Sequence, residues 1–248
     1  GLNSKTISDN LKNRYKALNI TLVDFAIDKA FSVEIKGGGV VIIDDNFFKD
    51  EASYLAAHNA VLNATIDATE QHFKLEGLYS KTISGQPQNS LYRHDVIPNN
   101  AEVSSLFSAL YKTISRANTV IDHAEKSASF KSFKYKSYPY FAYNYWVLMN
   151  LWGAVPFVNS KNYQDYTNPR ARTTIKEISE SLIAGHDEAI LNLGNEKDSD
   201  FAKVVAAKIA ADNGDYSTAK KYLNQIIDSK KYTLASKAQI HTTANESI

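Results

Sequence analysis

Residues 141–157, FAYNYWVLMNLWGAVPF, carry both tryptophans and the single methionine of the chain and then meet Gly153 and Pro156. At helical spacing Phe141, Tyr145, Leu148 and Trp152 form one row, and Ala142, Tyr145, Trp146 and Met149 form a second at i, i+3, i+4 and i+7. A helix apolar around most of its circumference has to be enclosed by other elements. This segment is therefore the expected centre of a helical core, with Trp146 buried in it. Gly153 supplies a conformation that ends a helix and Pro156 forbids its continuation, so the chain should leave in a short strand-like form over residues 155–158.

Partners for such a helix are legible on both sides. Asp50 opens a long helix with Leu55, Leu62, Ile66 and Phe73 in one row, ending at Gly77. Residues 102–126 keep Val103, Leu106, Phe107, Leu110, Ile114, Ala117, Ile121 and Ala124 on one face, opposite Lys112, Ser115, Thr119, Asp122 and Lys126. Thr174 and Glu177 form a capping box before a helix whose buried row is Ile175, Ile178, Leu182, Ala189 and Leu193. Gly185 inside it, at a cost of about 1 kcal/mol against alanine, points to a close helix crossing. Residues 201–212 and 217–228 are two helices joined by Asn-Gly-Asp-Tyr, with Ala207 and Ala219 at their contact and Tyr216, Leu223 and Ile226 as fillers. They resemble a tetratricopeptide hairpin, which cannot bury its own face alone.

The fold class that follows is all-α, a single domain over residues 1–248 built of tetratricopeptide-like stacked helical hairpins. The three pairs fall in residues 50–127, 139–193 and 199–234, and residues 127–139, rich in lysine and aromatics, read as a solvated connector. Residues 1–49 stand apart. A helical row of Leu11, Tyr15, Leu18 and Leu22 precedes two β-branched runs around Gly37, Gly38 and Gly39, which read as a small β-hairpin. The triple glycine lacks the spacing of a phosphate-binding loop and leads into a strand-like run, so a nucleotide site is rejected.

Three segments also resemble one family. LWGAVPF at 151–157 is similar to the (L/Y)-(W/Y)-G-D-V-P-(L/F) of SusD/RagB outer-membrane nutrient-binding proteins, with Ala154 in place of the usual aspartate. LYKTISRANTVID at 110–122 resembles that family's L-Y-x-x-I-x-R-A-N-x-x-I-(D/E), and residues 213–234 resemble its G-D-Y-x-x-A-x-x-Y-x-x-x-I-x-S-x-x-Y-x-L. The resemblance covers roughly residues 50–234. It implies a surface lipoprotein that captures an oligosaccharide and passes it to a SusC-like TonB-dependent transporter. A lipidated cysteine is then expected upstream of this chain. It also implies that R-A-N is a packing signature, with Arg116 and Asn118 satisfying neighbouring backbone, and that the region before that helix contributes to the glycan site.

That region, residues 77–100, is the longest loop-like stretch, and loops of this length usually have a function. Tyr79 and Tyr92 can stack on a sugar face, and Arg93, His94, Asp95, Asn99 and Asn100 can bond to hydroxyls. The candidate ligand residues are thus Tyr79, Tyr92, Arg93, Asp95 and Asn99; the alternative is that the tyrosines only pin the loop to the helices.

Other chemistry finds little support. The chain has no cysteine, so thiolate metal sites and cysteine catalysis are excluded. His58 and His72, read as solvated helix-surface residues, are separated by about 21 Å along a helix and cannot share a metal. Asp187 and Glu188 point about 100° apart, so a solvated face accounts for them better than an acid–base pair. No H-E-x-x-H, G-x-S-x-G or P-loop occurs. No metal, cofactor or catalytic residue is expected. A formal charge of +1 with interspersed signs gives no footprint for nucleic acid, and no apolar run is long enough to span a membrane. The chain reads as a binder, with a helical-repeat module for protein–protein contact as the second class, because the resembling family's chains are about twice as long and keep much of their ligand site in the second half.

Overall fold

The computed structural model describes residues 47–97, 100–164, 170–194 and 197–234. Among these, six helices follow in order: α1 (Glu51–Tyr79), α2 (Ala101–Glu125), α3 (Ser132–Trp152), α4 (Ile175–Leu193), α5 (Lys197–Asp212) and α6 (Tyr216–Asp228). The chain divides into two units, Gly1–Lys49 and Asp50–Ile248, and all six belong to the second. The described residues contain no strand, so the fold is all-α as expected. The predicted helix at residues 8–22 and the predicted hairpin at residues 30–43 lie outside the described residues.

The helices pair as three consecutive hairpins, and α3 touches four neighbours, α1, α2, α4 and α5. Phe141, Ala142, Tyr145 and Leu148 are buried at that centre. Trp146 corrects the expectation of burial: it is half-buried at the α3–α5 rim. Its Nε1 donates to Asp212 Oδ2 at 2.7 Å, and Lys208 Nζ stands 4.8 Å from its ring. The indole needs a polar partner for its N–H, and the rim supplies one where the core does not.

α3 also begins earlier than the sequence suggests. Residues 132–139, expected in a connector, form its first two turns, with Pro139 inside the helix. Proline removes one helical hydrogen bond, yet Phe133, Tyr135 and Ser137 are buried by neighbouring helices, and that packing overrides the local preference.

On α1 the apolar row of Leu55, Ile66 and Phe73 is exposed, and the packed side is instead Tyr54, Ala57, Val61, Ala64 and Ala68. Small residues let α2 and α3 approach closely, which pushes the large side chains outward. His58 and His72, expected in solvent, are buried. His58 Nδ1 lies 2.9 Å from Ser137 Oγ, and seven residues on, Asn144 Nδ2 donates to Thr65 Oγ1 at 3.3 Å. Both pairs keep the same sequence offset, so α1 and α3 run parallel in a fixed register. Burial, with a smaller contribution from Lys136, lowers the His58 pKa to about 4.

Gly185 marks the close crossing that its position implied, because a Cβ there would overlap the hydroxyl and ring of Tyr138 from α3. The same hydroxyl donates to the Ser181 and Leu182 carbonyls, 3.3 Å each. Asp187 and Glu188 are more than a solvated face. Tyr222 donates to Asp187 at 2.5 Å and Lys134 to Glu188 at 2.8 Å, tying α4 to α6 and to α3. The last hairpin closes on Ala206, Ala207, Ala210, Ala219 and Tyr222. The expected fillers Tyr216 and Leu223 face solvent instead, because α6 turns Ala219 and Tyr222 to the seam.

Two of the sequence motifs meet in one clamp. Gly153 ends α3 at φ +71°, a backbone that side chains rarely adopt, and beyond it Val155 makes an antiparallel bridge to Thr173. The segment is held by side chains. Tyr111 donates to the Pro156 carbonyl (2.8 Å), Asn118 to the Val158 carbonyl (3.0 Å), and Tyr145 Oη accepts from Val158 N (2.7 Å). Arg116 reaches the Ala60 carbonyl at 3.5 Å. The R-A-N residues thus satisfy backbone, as a packing role requires.

Candidate functional site

α1 runs two residues past Gly77 and ends with Tyr79, because Ser80 N–H bonds back to the Glu76 carbonyl. The loop that follows is anchored from within. Leu91 is buried, and Asn89 accepts from Leu91 N at 2.9 Å while donating to Glu102 Oε1 at 2.9 Å. Asn100 is buried, caps α2 through Val103 N, and donates to Ser90 Oγ at 2.8 Å. Backbone bonds from Arg93 to Asn89, His94 to Leu91 and Asp95 to Ser90 wind residues 89–95 into a compact turn. Asparagines at the base fix the loop, which leaves its tyrosines available.

Tyr79 is 52% exposed, and its ring centroid lies 4.5 Å from that of His94. A carbonyl only accepts, so His94 Nε2 carries the proton it shares with the Tyr79 carbonyl at 2.6 Å. In the neutral ring its Nδ1 is then an acceptor at the surface. Tyr92 is half-buried with Lys81 Nζ 5.6 Å from its ring centre. Arg93 donates to the Gln88 carbonyl at 2.7 Å and pairs with Asp95 at 3.5 Å, both side chains being well exposed. Tyr79 at the end of α1 and Tyr92, Arg93 and Asp95 in the loop beyond it therefore lie on one surface stretch, while Asn99 lies outside the described residues. Lys81 and His94, both at positive φ (62° and 59°), complete the cluster. Side chains rarely hold that backbone, and such residues gather at functional sites. Nothing in the sequence at Lys81 signals it, since the conformation is imposed by the chain leaving α1.

Elsewhere the buried polar groups are sealed. His186, fully buried, donates from Nδ1 to the Leu182 carbonyl at 2.8 Å and leaves Nε2 without a partner. Burial lowers its pKa to about 4. No group of three or more histidine or acidic residues able to hold a metal occurs among the described residues, and none of the described helices is long and apolar enough to cross a membrane. What the exposed loop can offer is stacking, hydrogen bonding and fixed charge.

Comparison with known proteins identifies the surroundings of this loop. A family described as SusD-like, starch-binding and associating with the outer membrane matches residues 50–223. Similar solved structures include a SusD-like carbohydrate-binding protein from Bacteroides fragilis, 13% identical, with a TM-score of 0.62 over 77% of this chain and 42% of that one. Surface glycan-binding protein A from Bacteroides uniformis is 21% identical, with a TM-score of 0.55 over 75% of this chain and 49% of that one. A third, determined with a xylogluco-oligosaccharide, is 19% identical, with a TM-score of 0.63 over 74% of this chain and 42% of that one. This chain thus spans less than half the length of each. No curated protein matches it.

Proposed function

The chain belongs to the SusD-like family, and from that premise we propose that it captures an oligosaccharide at the cell surface and delivers it to a SusC-like TonB-dependent transporter of the outer membrane. In this reading the protein is a lipoprotein whose anchor lies outside this chain, and it binds without catalysis. The observation that carries it is the loop after α1, where the Tyr79–His94 ring pair and Tyr92 stand exposed or half-exposed beside Arg93 and Asp95. Aromatic faces flanked by charged hydrogen-bonding groups suit the apolar face and hydroxyl edge of a sugar. Asn99 belongs to the proposed site through its place in the same loop.

Calorimetry against a glycan panel tests this. Tyr92→Ala or Asp95→Ala should weaken binding by about 5- to 150-fold, as loss of a stacking ring or a charged hydrogen bond costs about 1 to 3 kcal/mol. A second reading, a protein-docking helical module, is favoured by the exposed α1 row of Leu55, Ile66 and Phe73. Failure of every glycan at millimolar concentration, with capture of the protein by a purified transporter fragment, decides for it.

A further inference from the structure

We propose that the saccharide bound at this loop is acidic, a uronate-type sugar whose carboxylate meets Lys81; the inference rests on the sugar-binding reading above. Residues 77–97 contain three fixed charges, Lys81, Arg93 and Asp95. Arg93 and Asp95 face each other at 3.5 Å and neutralise one another. Lys81 is left over: its ammonium sits against the Tyr92 ring, and among the described residues no carboxylate pairs with it.

The placement of that ammonium is set by the fold. Lys81 holds φ 62°, fixed by its N–H bond to the Leu78 carbonyl at 3.2 Å. The turn thereby directs its side chain towards the face of Tyr92, in the range where a cation is attracted to a ring. A sugar approaching Tyr92 meets a positive charge at the edge of its stacking surface. A neutral pyranose offers that charge only hydroxyls, whereas a sugar acid places a carboxylate there and forms a charge-assisted bond. His94 Nδ1, an acceptor in the neutral ring whose Nε2–H bonds the Tyr79 carbonyl, is suited to a hydroxyl of the same or the next ring. The site therefore combines one cation, one hydroxyl acceptor and aromatic faces, which is the complement of an acidic oligosaccharide.

The matched probes are oligogalacturonate and the same oligomer with its carboxyls methyl-esterified, titrated into the 248-residue chain at low and high salt. The acid form should bind about two- to fivefold more tightly, the scale of an exposed charge pair, and salt should erode the difference. In Lys81→Gln the preference for the acid form should disappear, with the melting temperature unchanged. Equal binding of acid and ester by the wild-type chain overturns the inference while the sugar-binding reading stands. So does a preference that survives Lys81→Gln. If neither form binds and a panel of neutral glycans fails as well, both readings fall.

Discussion

The clamp behind α3 and the loop after α1 use the same kinds of residue to opposite ends. In the clamp, the Tyr111 and Tyr145 hydroxyls and Asn118 Nδ2 sit among packed helices and bond the backbone of Pro156 and Val158. In the loop, asparagines again satisfy local groups, but Tyr79, Tyr92 and His94 present their rings to solvent or its edge. Burial decides which role a tyrosine plays. Inside, an unpaired hydroxyl is costly, so every tyrosine is answered by a carbonyl or carboxylate. At the surface water answers it, and the ring is free for a ligand. If this contrast is sound, substitutions in the clamp change stability, and substitutions in the loop change binding alone.

The largest effect is expected from Tyr145→Ala. The ring is fully buried against Phe141 and Phe157 at 5.1 and 5.0 Å, and its hydroxyl holds Val158. Loss of about 3 to 5 kcal/mol, measured by denaturant unfolding, matches other large-to-small core changes. A near-neutral result would sink the claim that the clamp residues carry stability.

Acid should sharpen the same contrast. His58 and His186 keep pKa values of about 4 in the folded chain, below the usual 6.5, because burial disfavours their charged forms. Below pH 6.5 the unfolded chain binds protons that the folded chain does not, so stability is full above that pH and falls as pH drops towards 4. The expected loss is roughly 3 kcal/mol per histidine across that window. For His58 the facing groups are Ser137, Phe133, Tyr140 and Lys136, none of which offers a carboxylate to a new positive charge. Thermal melts of His58→Gln, less dependent on pH than the wild type, check the assignment.

Gly185→Ala comes next, at about 1 to 3 kcal/mol for overpacking. The new methyl has to displace Tyr138, whose hydroxyl is bonded to Ser181 and Leu182. Replacing Tyr138 with leucine should recover part of the loss in the double variant, and additivity of the two changes would show that the crossing is not the cause.

Much of this was legible in the sequence. The α3 row of Phe141, Tyr145 and Leu148, the Gly153 stop, the Thr174 cap and the Gly185 crossing are local signals, and each has a local cause that survives in the fold. The errors came where tertiary contact outweighs pattern. A row such as Leu55, Ile66 and Phe73 announces periodicity but not which side the neighbours take, and small residues at the seam took it. The histidine at helix position 58 looks solvated until a parallel α3 is laid beside it. In the loop the composition pointed to Tyr79, Tyr92, Arg93 and Asp95, yet the position of Lys81 depends on a left-handed turn that no lysine predicts.

The smallest effect on stability is expected from Tyr92→Ala, and it is the most direct test of the contrast. The ring is half-buried, Lys81 lies over it, and the turn around it is held by the Asn89 side chain and by backbone bonds on either side. Removing the ring deletes no anchor. Surface changes of this kind stay within about 0.5 kcal/mol, so the unfolding midpoint should hold while glycan affinity falls. A drop in stability near that of Tyr145→Ala would mean that Tyr92 pins the loop to the helices, as the alternative in the sequence allowed. Exchange protection at residues 89–95 separates the two outcomes, because loss of a pin loosens the whole turn whereas loss of a stacking face leaves its amides as they were.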